Sequence, residues 1–267
     1  MKLSKLLITL IFFSSSVASA QVNWLNNEKI AKAIATEKDQ LILMDFWATW
    51  CGPCRKMDSE MWNTEEFKAF SKNFVALKVD IDSNPSLARS FNVTSIPHVV
   101  LTTATGEIVW QQTGYSNSSY YKKVLEKIPE NLNGLNLELV QLKDKYQDEV
   151  YFSIGDSFHQ LALEASDDLK SGFFSLSDNY YKEITKNSGD KVNVAMAEMR
   201  LLLNDAYAGR YNRAIRKIDK IDLYKNQDLA EMKQFIKAYC FKCDGDTESF
   251  ESAKSLIKSE EYLSKLE

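Results

Sequence analysis

A mixed α/β domain followed by an all-helical one is the architecture this sequence predicts, and three observations predict it. Strand-length apolar runs alternate with amphipathic stretches between residues 22 and 130, no proline follows Pro129, and the long patterned stretches beyond residue 135 repeat at helical spacing. The expected units are 21–132 and 136–267, preceded by an export segment at 1–20.

The first unit can be justified element by element. VNWLNNEKIAKAIATE (22–37) places Trp24, Ile30, Ala31 and Ile34 at helical intervals. LILMDFWA (41–48) is apolar, strand-length and bounded by polar residues, which predicts a buried strand broken only by Asp45. An interrupted helix is expected from about Cys51, with Met57, Met61, Phe67 and Phe70 on one face. FVALKVDI (74–81) predicts a second strand, and NPSLARSF a short helix opened by Asn84 and Pro85. NVTSIPHVVLTT (92–103) and EIVWQQTG (107–114) predict two more strands about the turn at Thr105-Gly106, and a helix from about Ser118 to Ile128 closes the unit. This order suits a mixed sheet with helices on both faces.

The N-terminal MKLSK, LLITLIFF and SSSVASA follow the basic, apolar, small-residue grammar of a secretory signal cleaved before Gln21. Its apolar core, Leu6 to Phe13, is far shorter than the ~20 residues a spanning helix needs, so a protein that does not span a membrane after cleavage is expected. The chain carries 33 Lys and Arg against 37 Asp and Glu, and losing Lys2 and Lys5 makes it more acidic, which argues against a nucleic-acid partner. A hydrophobic content of 45% argues for a real core.

All four cysteines fall in two C-x-x-C pairs, Cys51/Cys54 and Cys240/Cys243. A thiol is a nucleophile only as thiolate, and an ordinary cysteine is mostly protonated at neutral pH. In WATWCGPCRKM a strand runs into a helix that begins at or just after Cys51, where backbone N–H groups and the helix dipole favour a negative sulfur. Position therefore makes Cys51 the attacking sulfur and Cys54, one turn deeper and more shielded, the resolving one. Pro53 fits the first turn, where its missing N–H costs nothing, and Gly52 is expected to spare the attacking sulfur a bulky neighbour. Such a dithiol cycle needs no metal or organic cofactor. Zinc is the alternative, but it needs two further ligands, and His98, His159, Cys240 and Cys243 are the only other soft candidates. Cys240 and Cys243 sit in AYCFKCDGD at the expected end of a helix, where the dipole opposes a thiolate. They are expected to be a structural pair, within reach of a strained disulfide.

LILMDFWATWCGPCRKM, LKVDID, the SIPHVV strand and a strand ending at Gly114 resemble thioredoxin in motif and order, over about residues 24–130. The resemblance implies a thioredoxin fold and a protein thiol-disulfide oxidoreductase whose clients are proteins with disulfides or thiols. It implies that Asp45 is the buried acid that exchanges a proton with the resolving thiol, with Lys78 beside it. An acid in an apolar strand is already a candidate proton carrier. It also implies that Ile96-Pro97 is a cis bond facing the cysteines, leaving the backbone at Ile96 free to pair with a client, and that Trp50 and Trp47 flank the site. His98 is expected to face away, since side chains alternate along a strand.

The helix after CGPC lacks the internal proline of ordinary thioredoxins and is more similar to exported thioredoxin-like proteins, including the reducing domain of the bacterial transmembrane thiol-reductant transporter. The bacterial periplasm is thus the expected compartment. Gly-Pro between the cysteines resembles reducing members, so reduction or isomerisation is expected, and a reductant in an oxidising compartment needs a membrane-embedded electron donor. In the second unit, AYAGRYNRAIRKI (206–218) resembles the turn and second helix of a tetratricopeptide repeat, although Ala214 and Ala253 stand farther apart than the ~34 residues of that repeat. The helices are expected to select or position clients, or else to act as a stabilising bundle. The rival from another class is a helical scaffold whose redox pair is inactive or structural.

Overall fold

In the computed structural model, which describes residues 22–142 and 146–267, the sheet is built from β1 (Leu41–Trp47), β2 (Phe74–Asp80), β3 (His98–Thr102) and β4 (Ile108–Thr113). The spatial order is β2-β1-β3-β4, with β1 parallel to β2 and antiparallel to β3, and β3 antiparallel to β4. The central strand β1 is buried on both faces, and apolar but for Asp45, because helices cover both. On one face α1 (Glu28–Lys38) and α4 (Pro85–Ser90) bury Ala31, Ala35 and Ala88 against Ile42, Met44 and Phe46. On the other lie α2 (Gly52–Met57), a π-helical turn (Asp58–Trp62), α3 (Glu65–Phe70) and α5 (Ser118–Leu125), which pack Met57, Met61, Trp62, Phe67, Tyr121 and Val124 on Leu41 and Leu43. The fold is therefore the thioredoxin fold.

Two boundaries differ from the sequence reading. Residues 22–27 are not helical: Leu25 pairs with β2 through Leu25 N–H to Ala76 O (2.9 Å) and Lys78 N–H to Leu25 O (2.9 Å), and α1 begins only after Asn27, whose side chain caps it. Trp24 is thus carried by an extended segment, which its helical spacing concealed. The strand expected over 92–103 is confined to His98–Thr102, because Pro97 has no N–H to donate to the ladder. The interruption expected in the helix after Cys51 is the π-helical turn, closed by Asn63 N–H on Asp58 O (3.0 Å), before Thr64 caps α3.

The helical region comprises α6 (Leu135–Gln141), α7 (Asp148–Glu164), α8 (Asp167–Asn187), α9 (Lys191–Tyr207), α10 (Tyr211–Ile218), α11 (Gln227–Asp244), α12 (Thr247–Lys254) and α13 (Glu260–Ser264). Gly209 and Gly245 supply the left-handed backbone, φ 78° and 83°, that ends α9 and α11. The first core does not stop at the change of composition near residue 135. It continues from the sheet into Leu135, Ile154, Phe158, Leu169, Phe173 and Phe174, whereas α9 to α13 close a second core around Met199, Phe235 and Ile236. The junction is polar as well as apolar. Fully buried Asn136 donates to Ala35 O (3.1 Å) and Gln40 O (2.8 Å) and accepts from Ala104 N–H (2.8 Å). Helix α8 lies so close to β4 that a Cβ at Gly172 would overlap the carbonyl oxygen of Val109.

Residues 1–20, with the expected export signal, lie outside the described residues. Among the described residues no helix is long and apolar enough to cross a membrane.

Candidate active site

β1 ends at Trp47, and the chain turns through Ala48 to Trp50 before α2 begins. Cys51 is the N-cap of α2, with extended backbone (φ −78°, ψ 104°), and its sulfur accepts the Cys54 N–H at 3.1 Å. A sulfur at this position faces the first unpaired N–H groups of the helix, which favour negative charge there. Cys51 and Cys54 are joined by a disulfide, so neither sulfur is a free ligand. Pro53 lies in the first turn.

One sequence expectation about this corner changes. Both cysteines are 3% exposed, so Cys54 is not the more shielded of the bonded pair; helix position alone separates them. A Cβ at Gly52 would meet nothing closer than the Arg55 guanidinium at 4.0 Å. Trp50 is 63% exposed, and its indole N–H donates to Asp82 Oδ2 at 2.9 Å, which makes it a surface residue beside the disulfide rather than core. Ile96 packs against the small cluster formed by Ala48, Cys51 and Cys54, and Pro97 follows it through the cis bond.

Asp45 and Lys78 are register partners on β1 and β2, so their side chains share a face. That is the face on which the π-helical turn packs. The Asp45 carboxylate is buried (2% exposed), with Lys78 Nζ 3.7 Å from Oδ2 and the Trp62 indole N–H donating to the same oxygen at 3.0 Å. Its other oxygen, Oδ1, is buried without a hydrogen-bond partner among the described residues. Burial raises the Asp45 pKa from 3.8 to about 7, against the lowering pull of Lys78 and with help from the negative charge of Asp58. The Lys78 ammonium is also bonded to Asp58 and lies over the rings of Trp47 (5.0 Å) and Trp24 (5.5 Å). Asp58 and Trp62 were not singled out in the sequence, and Trp24 was read only as a helical position. Asp58 and Trp62 lie in the π-helical turn, which brings both to Asp45.

His98 is on the opposite face, against Phe46, with Nδ1 2.7 Å from Thr113 Oγ1, and burial lowers its pKa. His159 belongs to the helical region, where Nδ1 meets Asn204 Oδ1 at 2.5 Å. Cys240 and Cys243 are free thiols, the first buried and the second exposed, so the expected disulfide between them is not formed.

A family model described as thioredoxin matches residues 21–127. The chain is 39% identical over 87 residues to a thioredoxin of Listeria monocytogenes, covering 33% of this chain and 82% of that protein. It is 35% identical over 92 residues to a thioredoxin of Mycobacterium tuberculosis, covering 34% and 77%. It spans only 19% of a bifunctional thioredoxin reductase/thioredoxin of Mycobacterium leprae, at 37% identity over 93 residues. Among solved structures, thioredoxin NaTrxh of Nicotiana alata is similar at 25% identity with a TM-score of 0.34, covering 40% of this chain and 93% of that one. Because the similarity extends over most of the length of several thioredoxins and includes the bonded Cys-Gly-Pro-Cys, this chain belongs to the thioredoxin family and is a thiol-disulfide oxidoreductase.

Proposed function

We propose that this protein works outside the cytoplasm, in a bacterial periplasm, as a reductant or isomerase of protein disulfides, with its helical region presenting clients to the Cys51 corner. The observation that carries the reading is the placement of the Cys51 sulfur as the cap of α2, bonded to Cys54 and accepting the Cys54 N–H. In the reduced protein the Cys51 thiolate attacks a client disulfide, forming a mixed disulfide and releasing one client thiolate. Cys54, deprotonated by Asp45, then attacks the Cys51 sulfur, which closes the Cys51-Cys54 bond and releases the second client thiol. Asp45 suits this role because burial brings its pKa to about 7, where a carboxyl can both accept and return a proton. Ile96 and Pro97, beside the cysteines, offer backbone to an extended client, and Trp50 gives it an exposed apolar edge.

Export rests on the grammar of residues 1–20, and with it goes a membrane-embedded electron donor to keep the pair reduced. The helix pairs α9/α10 and α11/α12, each turning on a left-handed glycine, support a repeat-like array on which a client could lie.

Equilibrating the Cys51/Cys54 pair with glutathione tests direction. A potential near the ~−270 mV of reducing members supports a reductant, and one near the ~−120 mV of strong oxidants sinks that reading. A Cys54→Ser protein should accumulate a Cys51 mixed disulfide with insulin; no adduct would defeat the proposed order of attack. Recovery of the expressed chain with an intact N-terminus in the cytoplasm would defeat export.

A further inference from the structure

Asp45 and Lys78 are register partners and form an ion pair, but one too long for a hydrogen bond. Lys78 Nζ stands 3.7 Å from Asp45 Oδ2 and is hydrogen-bonded instead to Asp58 Oδ1, on the first residue of the π-helical turn. Among the described residues, Lys68 lines the same hollow as Trp24 and Trp62, Asp80 lies two residues along β2 from Lys78, and other groups close in from several elements. From the π-helical turn Trp62 donates its indole N–H to Asp45, from α5 Tyr121 packs on Trp62 with its hydroxyl committed to Gly114 O (2.6 Å), and the rings of Trp24 and Trp47 face the ammonium. The ammonium therefore has two carboxylates to choose between. The side chains of Asp58 and Lys78 are 26% and 21% exposed, whereas that of Asp45 is 3% exposed.

We propose that Asp58 is a positioning residue for the thiol-disulfide reaction: by holding the Lys78 ammonium it keeps that charge from closing on Asp45, so that the buried carboxyl can still bind a proton. The inference rests on the reading of Asp45 as the proton carrier for Cys54. An ammonium hydrogen-bonded to a buried carboxylate favours its charged form and would lower its proton affinity by about one to three pH units, leaving it ionised throughout neutral pH. Such a carboxylate accepts the Cys54 proton poorly and cannot return it. The signal is local to this sequence, because it needs an acid four residues after the second cysteine and the π-helical turn that aims it.

The test is a carbon-NMR titration of Asp45 together with the pH profile of insulin reduction, in the full chain and in Asp58→Asn, Asp58→Glu and Lys78→Met variants. In Asp58→Asn the Asp45 midpoint should fall by about one to three units, with the matching limb of the pH profile moving the same way, and Asp58→Glu should restore both. Simple removal of a like charge would also lower the midpoint, so the decisive comparison uses Lys78→Met as background. There the effect of Asp58→Asn should shrink to a small fraction. An equal shift in both backgrounds, or no shift in the first, overturns the inference. Asp45→Asn separates this failure from that of the underlying reading. If Asp45→Asn slows reduction and moves the profile while Asp58→Asn does neither, only the role of Asp58 is lost; if Asp45→Asn changes nothing, the proton-carrier reading falls and the inference with it.

Discussion

The two Cys-x-x-Cys pairs have one spacing and opposite fates. Cys51 caps the N-terminus of α2, where free N–H groups converge, and the pair is a disulfide. Cys240 and Cys243 lie in the last turns of α11, where unpaired carbonyls converge, and remain thiols. Burial pushes the Cys240 thiol up to about 12, aided by the charges of Cys243 and Asp244. Two features separate the corners: the helix end at which the sulfur sits, and the Gly-Pro that lets the chain enter a helix between the sulfurs. Spacing brings two sulfurs within reach; the end of the helix decides whether either becomes a nucleophile.

The strongest way to break the contrast is to exchange the sulfurs one pair at a time. Cys51→Ser should reduce insulin-disulfide reduction to background, while the Cys240→Ser/Cys243→Ser double variant should retain the wild-type rate. Loss of activity in the double variant would show that the second pair takes part in turnover.

Asp45 sharpens the contrast through pH. Its carboxyl is lifted from 3.8 to about 7, so between those values the folded protein keeps a proton that the unfolded chain has released. Stability of the oxidised protein should therefore fall as pH rises from about 4 to about 7, by at most about 4 kcal/mol. Asp45→Asn should flatten that slope in urea unfolding while slowing reduction. A wild-type curve with no such slope would contradict a raised proton affinity.

A smaller effect is expected away from both pairs. Gly172→Ala would force α8 off the Val109 carbonyl and should cost about 1–3 kcal/mol in urea unfolding, yet leave the Cys51 corner competent to reduce insulin. An unchanged midpoint would mean that the contact between α8 and β4 is loose. The smallest effect belongs to the second pair itself. One equivalent of maleimide should modify Cys243 in the oxidised native protein with no change of melting temperature, and Cys240 should react only on unfolding. Rapid native labelling of both would show that Cys240 is not shielded.

Much of the fold was legible because β1 to β4 are short apolar runs bounded by turn residues, and because Asn84-Pro85 and Gly114 punctuate them as local rules require. The path of residues 22–27 was not, since Trp24 falls in step with Ile30 whether or not the chain between them is helical. At the site, Cys51, Cys54, Asp45 and Pro97 were visible as residue types in place. Asp58 and Trp62 were hidden, because the π-helical turn changes which side of the helix they face.

By itself the chain determined the order of its elements, the capping position of Cys51 and the distinction between the two cysteine pairs, all of which depend on neighbours within a few residues. Tertiary structure alone decided that Lys78 answers to Asp58 as well as Asp45, that Asn136 ties α6 to the sheet, and that α7 and α8 share the first core. The physical reason is separation along the chain. Hydrogen bonds within a turn follow from local sequence, whereas the proton affinity of a buried carboxyl depends on charges and desolvation contributed by strands and turns that only folding brings together.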